Sequence, residues 1–326
     1  MERKNDLLVR LEDVQMHFQV HKGFFKSEVV KAVDGVTLDL GRGETVAVVG
    51  ESGSGKTTLG RLSLRLLQPT KGKILFNGLD VTTANEKGLL WFRRRAQIIF
   101  QDPYSSLDPF MSVEQILQEP LQIHHIGEKS ERRETVYKVL DDVKLTPPQE
   151  TAEKYLHMLS GGQRQKVGIA RALILNPEYI VADEPVSMID ASNKAEILLL
   201  MKELQGKYGI TFLYITHDIA TAKHFSDRTA VMYLGRVVEI GRSRDVINEP
   251  LHPYTMALLE AVLEPDPQNR HRERKTIPGE LPNQINVPSG CRFHPRCSYF
   301  MENKCEIHDP PMVEARPKHY VACYLY

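Results

Sequence analysis

Residues 45–58 read Thr45-Val46-Ala47-Val48-Val49-Gly50-Glu51-Ser52-Gly53-Ser54-Gly55-Lys56-Thr57-Thr58. A β-branched run leads straight into a glycine loop, and the loop leads into Thr57–Leu67, which has helical spacing and stops before Pro69. Unbroken apolar character over Thr45–Val49 is what a parallel strand buried on both faces requires. The spacing G-x-x-x-x-G-K-T lets consecutive backbone N–H groups curl around phosphate oxygens, with the positive end of the next helix aimed at them. Lys56 is placed to reach β- and γ-phosphates, and the Thr57 hydroxyl to ligate Mg²⁺. A glycine-rich turn can match this pattern by chance, but a chance match is not framed by a strand and a helix. The stretch therefore predicts an α/β chain built around the phosphate loop of an NTPase, with Gly50, Ser52, Gly53, Ser54, Gly55, Lys56, Thr57 and Thr58 as candidate nucleotide-binding residues.

Downstream, the apolar run Tyr179-Ile180-Val181-Ala182 ends in Asp183-Glu184. A carboxylate closing such a strand, Asp183, can hold Mg²⁺ through its water shell. Glu184 beside it can orient an attacking water or accept its proton. Strand Tyr179–Ala182, helix Ser192–Lys207 and strand Thr211–Thr216 follow in βαβ order, which predicts a parallel sheet. Residues 159–163 read Leu-Ser-Gly-Gly-Gln, ahead of a helix over Arg164–Leu175. A serine and two glycines at a helix start offer a hydroxyl, open N–H groups and a dipole end to a phosphate. The same Ser160 can cap its helix, and the two roles are compatible.

Around this centre, Leu7–Val20 alternates and Val29–Leu40 does so less strictly, as strands of a partly exposed sheet would. Ile74–Gly78 reads as a strand ending in a turn. From about Asp102 to Leu156 the texture becomes charged and helical, punctuated by Pro103, Pro109, Pro120 and Pro147-Pro148, which predicts an inserted helical subdomain over about 102–175. Prolines crowd the chain from Pro250 to Pro317, predicting a small irregular extension over 251–326. All four cysteines lie there, Cys291, Cys297, Cys305 and Cys323, spaced C-x5-C-x7-C-x17-C. Clustered thiols in a reducing compartment point to a metal more than to a disulfide framework. Four thiolates suit a [4Fe–4S] cluster or tetrahedral Zn²⁺, although no close C-x2-C pair favours a zinc ribbon. Reduced thiols without metal are the third reading. His294, His308 and His319 are alternative ligands.

Lys plus Arg equals Asp plus Glu at 42 each over 326 residues, so no global field favours nucleic acid. No apolar stretch approaches the roughly 20 residues needed to span a bilayer, and the first residues run into no signal-peptide core. The expectation is a cytoplasmic chain, peripheral where it serves a membrane.

Together the loop, Leu159–Gln163 and Asp183-Glu184 resemble an ATP-binding-cassette (ABC) ATPase, with 159–163 as that family's signature. The resemblance implies a P-loop NTPase core over 1–250 with an antiparallel β subdomain and an inserted helical subdomain. It implies that Gln101, ending Ile98-Ile99-Phe100, senses Mg²⁺ and water and links core to insert. It implies that His217 contacts the γ-phosphate as a switch histidine. Ser187-Met188-Ile189-Asp190 matches the D-loop, with Asp190 as its acid and Met-Ile where Ala-Leu is usual. Ser160, Gly161, Gly162 and Gln163 would serve an ATP held by another polypeptide. Phe24 or Phe25 would stack on adenine.

Leu251-His252-Pro253-Tyr254-Thr255, Gly279-Glu280-Leu281-Pro282, Gly290–Cys297 and Val321-Ala322-Cys323 resemble the C-terminal region of oligopeptide and dipeptide importer ATPases. Val30–Val36 and Thr58–Arg61 resemble the second of their two ATPase subunits. What this implies is a motor subunit paired with a homologous ATPase as a heterodimer, on two transmembrane permease subunits fed by an extracytoplasmic solute-binding protein. It also implies a [4Fe–4S] cluster of structural role in preference to Zn²⁺. Related transporters carry nickel or oligosaccharides, which stay open as cargoes. A soluble ABC ATPase acting on nucleic acid is the reading from another class; its usual tandem cassettes, sustained heptads and basic excess are not in this sequence. A subunit that binds ATP without hydrolysing it would not need Lys56, Asp183, Glu184 and His217 intact.

Overall fold

The computed structural model describes residues 7–22, 26–261 and 284–326. Phe24, Phe25 and Gly279–Pro282 lie outside the described residues. In chain order the elements are β1 (Leu7–Lys22), β2 (Lys26–Gly41), β3 (Thr45–Val49), α1 (Lys56–Ser63), β4 (Lys71–Phe76), β5 (Leu79–Asp80), α2 (Glu86–Arg95) and β6 (Ala96–Ile99). Helices α3 (Pro103–Ser106), α4 (Val113–Ile123), α5 (Lys129–Asp142), α6 (Pro148–Glu153) and α7 (Gly161–Leu173) follow. Then come β7 (Tyr179–Asp183), α8 (Ala191–Tyr208), β8 (Thr211–Thr216), α9 (Ile219–Phe225), β9 (Arg228–Tyr233), β10 (Arg236–Arg242), α10 (Ser243–Asn248), α11 (Pro253–Glu260), β11 (Val313–Arg316) and β12 (His319–Val321). These residues form two compact units, one chiefly Ala84–Leu213 with Leu40–Glu44, the other Val9–Asp39, Thr45–Thr83 and Tyr214–Tyr326.

The second unit carries the phosphate loop. Its outer layer is a sheet in the order β2-β1-β4-β5, with β1 antiparallel to β4 from Val9↔Phe76 onward. Along β2, Val36, Leu38 and Leu40 are buried while Gly35 and Thr37 are exposed, the period of two that a half-buried strand imposes. Asn77 and Gly78 both take positive φ, 51° and 78°, and close β4 onto β5 as a two-residue hairpin. The inner strands run β11-β12-β10-β9-β3, with β3 parallel to β9 and buried at every position. Helix α1 ends at Ser63, earlier than the spacing to Leu67 predicts. Arg65 turns the chain at φ 53° and buries its guanidinium, with Nε donating to Val81 O at 2.8 Å.

The proline-rich extension is less irregular than its composition predicts. Pro253 takes the first position of α11, where its missing N–H costs nothing, and β12 pairs with β10 at Glu239↔Val321.

In the helical unit β6 runs parallel to β7 from Ala96↔Tyr179 to Ile99↔Ala182. One expectation is corrected here: Pro120 does not punctuate the insert but lies inside α4. A full capping box at Ser112 and Gln115 starts that helix, and Val113, Ile116, Leu117, Pro120 and Leu121 form its buried face. That face offsets the roughly 3 kcal/mol an interior proline costs. Among the described residues no helix is long and apolar enough to cross a membrane.

Candidate functional site

The loop between β3 and α1 is shaped by close approach. A Cβ on Gly50 would lie 2.2 Å from Met232 O, and one on Gly55 would lie 2.1 Å from Ala32 O, so neither position accepts a side chain. Gly55 caps α1 in the left-handed region with no side-chain hydrogen bond to the helix end. The first turn therefore presents backbone N–H groups and the positive dipole end, with Thr57 and Thr58 in that turn. Lys56 is buried, its Nζ donating to Gly50 O at 2.8 Å and Glu51 O at 2.9 Å. Ser54 Oγ is buried with no hydrogen-bond partner among the described residues, while Ser52 and Gly53 are exposed. A cradle of donors with an orphaned hydroxyl suits a phosphate chain. His217 belongs to the same unit, exposed where β8 ends, just before Asp218 caps α9 by accepting from Ala220 N at 2.9 Å.

The remaining candidates belong to the helical unit. Asp183 ends β7 and is 6% exposed. Glu184 takes φ 47°, a strained value for a side chain of its kind, and its carbonyl accepts from Ser187 N at 3.1 Å and Ser187 Oγ at 3.0 Å. This tight turn aims the carboxylate at Gln101, whose Nε2 donates to Glu184 Oε2 at 3.2 Å. Asp190 is exposed at the N-cap of α8. Ser160 caps α7: its Oγ accepts from Gln163 N at 3.3 Å, and Gln163 Oε1 accepts from Ser160 N at 3.0 Å. That capping box gives the glutamine of the signature a structural reason, and the S-x-x-Q spacing is its sequence signal. A Cβ on Gly161 would meet nothing within 4 Å, so the start of α7 is open to a ligand. Sequence reasoning missed Arg164, whose guanidinium stacks on Tyr104 at 4.2 Å while its Nε donates to Leu156 O at 2.6 Å. This pair ties the signature helix to the segment after Gln101, and nothing local in the sequence announces it.

The four cysteines are unbridged and all line one small pocket, partly open to solvent, together with Phe293, Tyr299, Met301 and Leu325. Burial pushes the Cys291 thiol up to about 11 and raises Cys297 and Cys323 as well, with the neighbouring thiols adding to the effect. Among the described residues no three His, Cys, Asp or Glu side chains are grouped so as to hold a single metal ion. His319 is committed elsewhere, its Nε2 2.7 Å from Glu239 Oε1.

The profile of the ABC transporter family matches residues 33–187, and that of the oligopeptide/dipeptide transporter C-terminal region matches residues 238–305. An inferred peptide import ATP-binding protein of Brucella ovis is 46% identical over 97% of this chain and 97% of its own length. The oligopeptide transport ATP-binding protein AppF of Bacillus subtilis is 45% identical over 98% of both chains. A solved ATP-binding cassette, dimeric and in a post-hydrolysis state bound to ADP and Pi, is similar with a TM-score of 0.65 and 30% identity, covering 73% of this chain and 99% of that one.

Proposed function

Because the chain belongs to the ATP-binding subunits of ABC transporters, in the oligopeptide/dipeptide branch, we propose that it is the ATP-hydrolysing motor of an importer of di- or oligopeptides. The family supplies the ATPase activity and the membrane permease partners. The residues proposed to carry the activity are these. Backbone N–H groups of Gly50–Thr58 and the Lys56 ammonium bind the phosphates of ATP. Thr57, Asp183 and Gln101 would hold Mg²⁺, which supplies charge neutralisation on the phosphates when bound. Glu184 accepts the proton of the water that attacks the γ-phosphorus as the bond to the bridging oxygen breaks. Gln101 orients Glu184, and His217 contacts the γ-phosphate. The observation that carries the catalytic assignment is the Gln101–Glu184 hydrogen bond at 3.2 Å, next to a buried Asp183.

Ser160, Gly161, Gly162 and Gln163 serve an ATP on the phosphate loop of a second, homologous ATPase subunit, with Asp190 at the same junction. Two permease subunits and an extracytoplasmic solute-binding protein complete the importer, and the chain works peripherally at the cytoplasmic face. Cys291, Cys297, Cys305 and Cys323 would hold a [4Fe–4S] cluster of structural role. Four unbridged thiols lining one pocket support that reading.

The test is purification of the assembled transporter from membranes and ATPase assay in proteoliposomes with its binding protein. Peptides are expected to stimulate turnover; stimulation by oligosaccharides or nickel instead overturns the cargo. Glu184→Gln is expected to keep ATP binding and to lose about 100-fold or more in turnover. Turnover like wild type in that variant removes Glu184 from the role of base.

A further inference from the structure

Glu51 is the only acidic residue of the phosphate loop, and residues beyond 250 hold it from two sides. Its N–H donates to Tyr254 Oη at 2.8 Å. Its carboxylate receives both terminal nitrogens of Arg296, at 3.1 and 3.3 Å. Its carbonyl accepts from Lys56 Nζ at 2.9 Å, so the lysine of the loop and the two latching residues meet on one amino acid. A further contact is made by Gln284, whose Nε2 donates to Gly53 O while its own carbonyl accepts from Lys31 N at 3.3 Å.

The latch is itself rigid. The Arg296 side chain is 6% exposed and the Glu51 side chain 20%. Arg296 donates to Tyr233 Oη at 3.4 Å, and the Tyr233 and Tyr254 rings sit 4.6 Å apart, both against Phe293. A bidentate, charge-assisted pair against packed aromatic rings fixes direction as well as distance. The electrostatic consequence is specific to this loop. A loop that receives a polyanion is weakened by an uncompensated carboxylate on its second residue, and Arg296 compensates it.

We propose that Arg296 and Tyr254 are positioning residues for ATP: through Glu51 they hold the phosphate loop in its binding shape and cancel its one negative charge. This rests on the loop binding ATP as assigned above. The extension thereby becomes part of the nucleotide site without touching the nucleotide.

The test uses the full chain for equilibrium binding of ATP and the assembled transporter for KM and kcat. Arg296→Ala is expected to raise Kd and KM for ATP about ten-fold, the cost of losing a charge-assisted pair, with kcat within about two-fold. Adding Glu51→Ala to that variant removes the stranded carboxylate and is expected to restore most of the affinity. Tyr254→Phe, which deletes one oxygen, is expected to raise Kd about three-fold. A merely structural role lowers the active fraction, hence kcat, and leaves KM in place; that split, or failure of Glu51→Ala to restore binding, overturns the proposal. If Arg296→Ala does not fold, unchanged Kd in Tyr254→Phe overturns it. Absence of ATP binding by the wild-type chain would instead overturn the reading on which it rests.

Discussion

His252 makes the extension sensitive to acid, and the size of the effect follows from its surroundings. It is 1% exposed, its Nδ1 accepts from Tyr254 N at 3.0 Å to cap α11, and its backbone N–H donates to Glu239 Oε2 at 2.9 Å. Burial pushes the imidazole down to about 4, against the opposing pull of the Glu239 carboxylate. The unfolded chain takes up this proton near 6.5 and the folded chain refuses it until about 4. Stability from this group is therefore fully present above 6.5 and is lost as pH falls toward 4. At about 1.4 kcal/mol per pH unit the full loss is about 3 kcal/mol, of which about 2 kcal/mol falls between pH 7 and pH 4.5. His252→Asn keeps a capping acceptor without a titrating group, so its stability should change by about 2 kcal/mol less over the same interval. Tryptophan fluorescence will not report this, because the only tryptophan, Trp91, lies on α2 in the other unit. Hydrogen exchange of a peptide spanning 251–261, referenced to the unfolded peptide at each pH, reads it directly. Equal pH dependence in wild type and variant would refute the reasoning.

Ser160→Ala removes the cap on α7 and should loosen its first turn by about 1 kcal/mol in hydrogen exchange. ATPase of the assembled transporter should fall much further than that, and Ser160→Thr, which keeps the hydroxyl, should recover it; an activity loss no larger than the cap effect removes Ser160 from the nucleotide. Anaerobically purified wild-type chain should contain iron and acid-labile sulfide with a broad visible absorbance, and Cys291→Ser should lose both. Zinc in their place would reverse the cluster assignment.

The central fold was legible because its signals are local. Thr45–Val49 is apolar at every position and is buried at every position, and the strand predicted over Thr211–Thr216 has those bounds. Composition misled where a neighbour outvoted it. Pro120 continues α4 because a capping box and a buried face hold that helix, and Gly161-Gly162 begin α7 because Ser160 and Gln163 cap it reciprocally. Strands β11 and β12 are only 4 and 3 residues long, too short for alternation to rise above the prolines around them. In the site, the loop and Asp183-Glu184 declare themselves by spacing. The Glu51–Arg296 pair joins residues 245 apart in sequence, so no window contains both partners.

Among the described residues that pair is one of three buried pairs of the same kind, and the three together help explain why the extension shares a compact unit with the phosphate loop. The acids, Asp34, Glu51 and Glu239, lie before residue 250; their partners, Arg292, Arg296 and His319, lie after 290. Asp34 is held below the usual carboxylate range: burial opposes its ionisation, but the hydrogen bond from His17 and the Arg292 guanidinium outweigh it. Glu239 is fully buried, and besides His319 it accepts from Leu251 N and His252 N, both at 2.9 Å. Buried ion pairs of this kind are poor sources of net stability, since apolar residues of equal volume hold a fold as well. What they supply is register. An apolar contact between the extension and β10 would tolerate sliding, whereas Arg292, Arg296 and His319 each meet one carboxylate at one place, and displacing either arginine strands a charge at a cost of about 3–5 kcal/mol. With Arg292 fixed on Asp34 and His319 on Glu239, the short run from Cys291 to Cys297 brings Arg296 to Glu51. The sulfur-lined cavity is therefore held in register with the phosphate loop by charge pairing.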